Sequence, residues 1–483
     1  MSTTSSEALL RVEDLTVRAG ARMLLRPLSL ALQAGEALVL LGESGAGKSL
    51  LAQAIMGTLP PGLQASGQVV IEGRASAADR PAQRQPLWGH RLAMLPQEPA
   101  QALDPLMRLQ PQLALVHRHL RGAAPAEAAA RAEAALASAG LGAAAQQFPW
   151  QVSGGMAQRA AAAIALAGGA RLLLVDEPTK GLDAHWRDRC VELLQQLRRE
   201  GGAVLVITHD LQVARALGGR MMVLRDGECV EQGDTARVLA APAHAFTRAL
   251  IAADPSGWPD ARLPTRAPAG EPVVRAEALG KQFGGRWLFD GLDLAIGRGE
   301  RLAVQGPSGC GKSTLGNLLL GLLAPDRGRV RRVADLRPWA LQKLYQDPQG
   351  SFAPTVTLAD ALGDVGRRHR LDAAALRRLL EALQIDAGLL ARRPAQVSGG
   401  ELQRLALARV LWTGPALLFA DEPTSRLDPL TQQQALALLA RETARLDCAL
   451  LLVTHDADVA RAMAPHTLHP ARAATPAACA APV

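Results

Sequence analysis

Short, unbroken apolar runs recur along the chain, each followed within two residues by a glycine, a carboxylate or a histidine. Ala37–Leu41, Leu172–Val175 and Ala203–Ile207 are such runs in the first half, and Leu302–Val304, Leu417–Ala420 and the run ending at Val453 are such runs in the second. Three to five apolar residues without alternation predict strands covered on both faces, as in a parallel sheet. Leu10–Gly35 instead alternates and turns, which predicts short antiparallel strands. Leu50–Leu59 predicts a helix stopped by Pro60-Pro61-Gly62. Strand signals return at Gln68–Ile71 and Arg91–Leu95. Leu106–Ala145 is helical and alanine-rich, which predicts a small helical subdomain. Asp226-Gly227 after Met221–Leu224 predicts a hairpin, with helical residues on to about Ala253.

The order then repeats. Lys48 and Lys312 lie 264 positions apart and Gln97 and Gln346 lie 249 apart, so a whole domain is duplicated. The shrinking offset means that the second copy has lost part of its antiparallel strand region. It also lacks the hairpin after His455. The expected division is a first domain over 8–252, a Pro/Gly/Arg-rich linker over 253–272, a second domain over 273–466 and a disordered Ala/Pro/His-rich tail over 467–483. The linker of about twenty residues spans on the order of 25 Å as a coil and about 60 Å if extended. The fold class is α/β: two tandem phosphate-loop domains, each a mixed sheet core with an antiparallel strand region and a helical subdomain.

Each copy carries G-x-x-x-x-G-K-[ST] between a strand and a helix, Gly42 to Ser49 and Gly306 to Ser313. Glycines let backbone amides turn toward phosphate oxygens, and the following helix adds its positive end. The candidate nucleotide contacts are Gly42, Ser44, Gly45, Gly47, Lys48, Ser49 and Leu50, and in the second copy Gly306, Ser308, Gly309, Gly311, Lys312, Ser313 and Thr314. Lys48 and Lys312 reach the outer phosphates; Ser49 and Ser313 ligate Mg²⁺.

Asp176-Glu177 and Asp421-Glu422 end buried strands, at the carboxyl edge of a parallel sheet beside the phosphate loop. The first carboxylate of each pair suits a Mg²⁺ shell and the second suits polarising a water for in-line attack. His209 and His455 end neighbouring strands and suit contact with the γ-phosphate and that water. Gln97 and Gln346 offer an amide oxygen to Mg²⁺ or water. Ser153-Gly154-Gly155 and Ser398-Gly399-Gly400 each open a helix, which presents a second anion-binding N-terminus per copy.

Composition changes this picture little. The formal charge of +8 suits anionic ligands or lipid headgroups but selects neither. Five scattered cysteines without a C-x-x-C pair argue against a zinc site or disulfide framework and fit a reducing cytoplasm. Cys310, inside the second phosphate loop, is the thiol to test for reactivity. The N-terminus lacks the features of a signal peptide, and no run of about eighteen apolar residues occurs, so any membrane role is expected to be peripheral.

In this order, phosphate loop, glutamine, Ser-Gly-Gly, Asp-Glu strand and histidine resemble the ABC ATPase domain over roughly residues 10–252 and 273–465. The resemblance implies two ATP sites in a head-to-tail sandwich, each closed by the Ser-Gly-Gly of the other copy, with Asp183 and Asp428 in the communicating loops. It also implies ATP and Mg²⁺ as cofactors. An aromatic that stacks adenine is implied near the end of the first strand, where Phe283 stands in the second copy and Ala19 in the first.

Gln97-Glu98-Pro99 with Leu103-Asp104-Pro105-Leu106-Met107, the Gly-Gly-Met signature and Pro242–Leu250 resemble the oligopeptide/dipeptide/nickel importer branch. Gln346–Phe352 and Gly-Gly-Glu-Leu-Gln-Arg resemble its partner subunit, so the chain looks like their fusion. This implies coupling of ATP hydrolysis to import of peptides, nickel or a related solute through two integral-membrane permease subunits and an external binding protein. The location implied is the cytoplasmic face of a bacterial inner membrane. The alternative, a soluble tandem ABC ATPase acting on ribosomes or nucleic acid, is disfavoured by the short proline-rich linker, and no nucleic acid is expected as partner.

Overall fold

The computed structural model describes residues 8–98, 102–179, 184–261, 271–307, 309–334, 336–425 and 427–470. Ser308, Pro99, Asp183, residues 262–270 of the expected linker and the tail from 471 onward lie outside the described residues. The chain divides into two compact units, Met1–Ala252 and Ala253–Val483.

Unit 1 runs β1 (Leu10–Ala19), β2 (Arg22–Leu32), β3 (Ala37–Gly42), α1 (Lys48–Met56), β4 (Leu63–Ile71), β5 (Arg74–Ala77), β6 (Leu92–Leu95), α2 (Leu109–Arg121), α3 (Pro125–Ser138), α4 (Gly154–Ala167) and β7 (Leu172–Asp176). It continues with α5 (Ala184–Arg199), β8 (Ala203–Ile207), α6 (Leu211–Leu217), β9 (Arg220–Arg225), β10 (Glu228–Asp234), α7 (Thr235–Ala240) and α8 (Ala245–Ala252). The alternating segment forms an antiparallel sheet in the order β2-β1-β4-β5, and the unbroken apolar runs form a second sheet, β10-β9-β3-β8-β7-β6. All five residues of β7 and of β8 are buried. One core lies between the two sheets around Leu51, Ile55 and Leu40, and another lies between the parallel sheet and the helical subdomain around Leu109, Leu113 and Leu136. Asp226 (φ 50°) and Gly227 (φ 76°) make the expected hairpin turn between β9 and β10.

Unit 2 repeats this with β11 (Val274–Phe283), β12 (Arg286–Ile296), β13 (Arg301–Val304), α9 (Lys312–Leu320), β14 (Arg327–Arg332), β15 (Leu341–Leu344), α10 (Leu358–His369), α11 (Ala373–Ala382) and α12 (Gly399–Trp412). It ends with β16 (Leu417–Asp421), α13 (Pro429–Arg445), β17 (Ala449–Val453), α14 (Ala457–Met463) and β18 (His466–Leu468). Its sheets are β12-β11-β14 and β15-β16-β17-β13-β18. The strand lost from the second copy is the counterpart of β5, and β18 pairs with β13 where unit 1 has β9 and its hairpin. β18 thus carries the parallel sheet to Leu468, two residues into the expected tail, because it supplies the ladder that β13 needs on that side.

Two local features were not read from the sequence. Arg84, 1 % exposed, holds the segment after β5 onto α1, its guanidinium donating to Ser76 Oγ and to the carbonyls of Ala54, Ala77 and Ala78. The first residues of the expected linker are ordered on unit 2. Arg461 of α14 donates to the Trp258 carbonyl at 3.0 Å and pairs with Asp260, and the Ala261 amide donates to the Arg461 carbonyl at 2.9 Å. The Trp258 ring packs on the core of unit 2.

Candidate functional site

In unit 1 the order β3-β8-β7-β6 brings the carboxyl ends of four parallel strands to one edge. The phosphate loop follows β3, Asp176-Glu177 close β7, Thr208-His209 follow β8 and Gln97 follows β6. Unit 2 does the same with β13, β16, β17 and β15.

The loop geometry follows from its glycines. Gly45 and Gly47 take φ of 83° and 94°, and Gly309 and Gly311 take 79° and 96°, the left-handed region that a side chain disfavours. At Gly42 a Cβ would stand 2.2 Å from the Leu224 carbonyl oxygen, so only glycine lets β3 pass β9 there. The first intrahelical bonds run from Leu51 to Gly47 and from Leu315 to Gly311. The amides of Lys48, Ser49 and Leu50, and of Lys312, Ser313 and Thr314, therefore stand ahead of the helical ladder as anion donors. The lysines arch over the loops: Lys48 Nζ donates to the carbonyls of Gly42 (2.8 Å) and Glu43 (2.7 Å), and Lys312 Nζ to Gly306 (2.8 Å) and Pro307 (3.1 Å).

Glu177 and Glu422 take left-handed φ of 52° and 47°, and their amides donate to the carbonyls of Ile207 and Val453 in the next strand. This turn aims each carboxylate at the adjacent histidine. His209 Nδ1 is 2.8 Å from Glu177 Oε1, and His455 Nδ1 is 3.4 Å from Glu422 Oε1. In unit 2 the Gln346 amide donates to Glu422 Oε2 at 2.8 Å, which ties glutamine, glutamate and histidine into one chain. Burial pushes Glu422 up, but the His455 bond and charge, with Lys312 and Gln346, outweigh it and hold the carboxyl below its usual range. Burial likewise pulls His455 down, and Glu422 more than reverses it. Burial raises the Asp421 carboxyl while a Ser313 hydrogen bond and Lys343 oppose that. The serine hydroxyl and the aspartate, the two groups expected on Mg²⁺, are thus in contact, and with the glycine cradle this donor set fits a Mg²⁺-bound triphosphate.

Ser153 and Ser398 cap the helices they open, their Oγ accepting from the amides of Met156 (3.4 Å) and Glu401 (3.2 Å). Gly154, Gly155, Gly399 and Gly400 form the first turns of α4 and α12. Phe283 ends β11 and is 54 % exposed, with Lys281 Nζ 5.4 Å from its ring centroid. Ala19 ends β1. Asp428 caps α13, accepting from Thr431.

The sequence reading missed two glutamines. Gln158 Nε2 donates to the carbonyls of Glu177 (3.4 Å) and Pro178 (3.0 Å), and Gln403 Nε2 donates to that of Pro423 (2.8 Å). Each links the Ser-Gly-Gly helix to the backbone behind the second carboxylate. Their common spacing after the Ser-Gly-Gly was the available signal. Lys343, half-buried beside Asp421 and bonded to Asn317 Oδ1 at 2.9 Å, was also missed; nothing in its local pattern marks it.

Phosphate cradle, acidic strand end and paired histidine, built twice, define a tandem phosphate-loop ATPase. The ABC transporter family matches residues 25–180 and 289–425, and the chain belongs to that family, with two ATPase domains that bind and hydrolyse ATP. The chain is 32 % identical to the peptidoglycan transport ATP-binding protein YejF of Agrobacterium fabrum, over 96 % of this chain and 91 % of that one. It is 32 % identical to the glutathione import ATP-binding protein GsiA of Escherichia coli, over 89 % and 79 %. Among solved structures it is similar to the archaeal ribosome recycling factor aABCE1, solved with stalk protein aP1, with a TM-score of 0.67 at 21 % identity over 95 % of this chain and 88 % of that one. That likeness concerns the fold alone. No described helix is long and apolar enough to cross a membrane.

Proposed function

We propose that the chain is the ATP-hydrolysing subunit of an importer for peptide-like solutes, working on two integral-membrane permease subunits at the cytoplasmic face of a bacterial inner membrane. An external binding protein would deliver the solute. The observation that carries this reading is the end-to-end similarity to YejF and GsiA, whose names specify peptidoglycan transport and glutathione import. Both point to peptide-like cargo and neither to nickel, so peptide is the cargo proposed.

In each domain the glycine loop and helix amides would hold the triphosphate, and Lys48 or Lys312 would neutralise its outer phosphates. Ser49, Gln97 and Asp176, and Ser313, Gln346 and Asp421, would hold Mg²⁺, which would supply neutralisation of the phosphate charge. Glu177 and Glu422 would orient the attacking water. His209 and His455 would hold those carboxylates aimed, and His455 would favour the ionised form of Glu422. The Ser-Gly-Gly turns of α4 and α12 would each offer a capped helix N-terminus to a nucleotide phosphate.

Purification from membranes tests both levels. The double variant E177Q/E422Q is expected to copurify with two membrane subunits and keep ATP binding, while turnover falls by about 10²–10⁴. Copurification with ribosomes instead of membrane proteins would overturn the transport reading. Wild-type turnover in the variant would overturn the residue roles.

A further inference from the structure

Unit 1 contains a cavity of about 250 Å³ among α2, α3, α4 and α5, with Ala135, Ala139, Ala162, Ala163 and Ala167 among the residues of its largely apolar wall. Arg159, on its rim, lies 3.8 Å over the Trp186 ring and donates to the Ala139 carbonyl. His117 differs: both of its ring nitrogens are buried and neither has a hydrogen-bond partner. Burial and the nearby Arg131 and Arg121 hold its imidazole below the usual range, so at neutral pH it carries one donor and one acceptor.

The duplicated unit carries larger side chains at two matching positions of α12. Matching α12 to α4 from their Ser-Gly-Gly openings sets Trp412 against Ala167 and Leu407 against Ala162. Matching α10 to α2 from Leu358 and Leu109 sets Gly366 against His117. In unit 2 the Trp412 indole is 8 % exposed and lies so close to α10 that a Cβ on Gly366 would stand 2.5 Å from its ring. Its Nε1 donates to the Asp372 carbonyl at 2.7 Å. Unit 2 therefore places its own indole against the position where unit 1 has His117, at the Ala167 end of the cavity.

We propose that the unit 1 cavity is a binding site for a small, flat, apolar molecule of about indole size, held by its largely apolar walls beside His117. Dry apolar cavities of about 150 Å³ accept benzene, so the volume suffices for a bicyclic ring. Gln158 and Pro178 line the cavity, and Gln158 bonds the carbonyls of Glu177 and Pro178, so the occupant touches the support of the candidate site. Occupancy and ATP turnover are accordingly coupled.

Calorimetric titration of the full chain with indole is the test. One molecule per chain is expected, with Kd below about 1 mM, together with at least a twofold change in ATPase rate (roughly 0.4 kcal/mol). H117G/A167W, which transplants the Gly366/Trp412 pair, is expected to bind ATP, to bind no indole and to lose the rate effect. A162L, a smaller filling, serves if the double variant does not fold and is expected to weaken indole binding at least tenfold. Absence of binding to the wild-type chain, or unchanged affinity in a folded, filled variant, would overturn the site. An unchanged rate at saturating indole would overturn the coupling.

Discussion

At the scale of single residues, the glutamate–histidine pairs show how a backbone turn sets chemistry. The left-handed φ of Glu422 and the Gln346 bond leave its carboxylate facing His455. The pair favours the charged forms, lowering Glu422 and raising His455. A lowered carboxyl contributes stability fully above its unfolded value of 4.5, and a raised imidazole does so fully below its unfolded value of 6.5. The stability gap between wild type and E422Q should therefore be widest between those two values. It should shrink as pH falls through the lowered Glu422 value or rises through the raised His455 value. Urea unfolding of both proteins across a pH series measures it; a gap flat with pH would show that the pair is not ionic.

At the scale of elements, the copies differ by what they have lost and how they compensate. Unit 1 keeps β5 and the short turns after it, and Arg84 holds that segment on α1 through four hydrogen bonds. R84A leaves buried carbonyls without donors and should cost about 2–4 kcal/mol. The urea midpoint of the first unfolding transition would fall accordingly; a shift within error would show that water replaces the guanidinium. The Ser-Gly-Gly helices differ too. Glu401 bonds back to the Ser398 amide at 2.7 Å and completes a capping box on α12, which Met156 has no polar atom to do on α4.

At the scale of the molecule, two copies of one site need not be two equal sites. Phe283 ends β11 with its ring exposed, and Ala19 ends β1 without one. Lys343 stands beside Asp421, and the matching position in β6 is Met94. ATP binding to the full chain should accordingly show two affinities, and F283A should weaken the tighter one by about 1–3 kcal/mol. Calorimetry with a non-hydrolysable analogue decides it. Two affinities unchanged by F283A would mean that the ring does not stack on the base.

The duplication, both phosphate loops, the acidic strand ends, the histidines and the missing second-copy strand were all written in the sequence. Each is a local pattern: a run that must be buried, a glycine spacing, a polar residue closing an apolar strand. Three-dimensional packing alone decided the rest. Gln158 and Gln403 meet the backbone behind the glutamates only because helix and strand are brought together across some twenty residues. Arg461 collects the start of the linker from two hundred positions away. The cavity beside His117 exists because alanines far apart in the chain converge where unit 2 places an indole. Periodicity records which side of an element is buried; how well the buried sides fill the space between them depends on volumes that no single stretch carries.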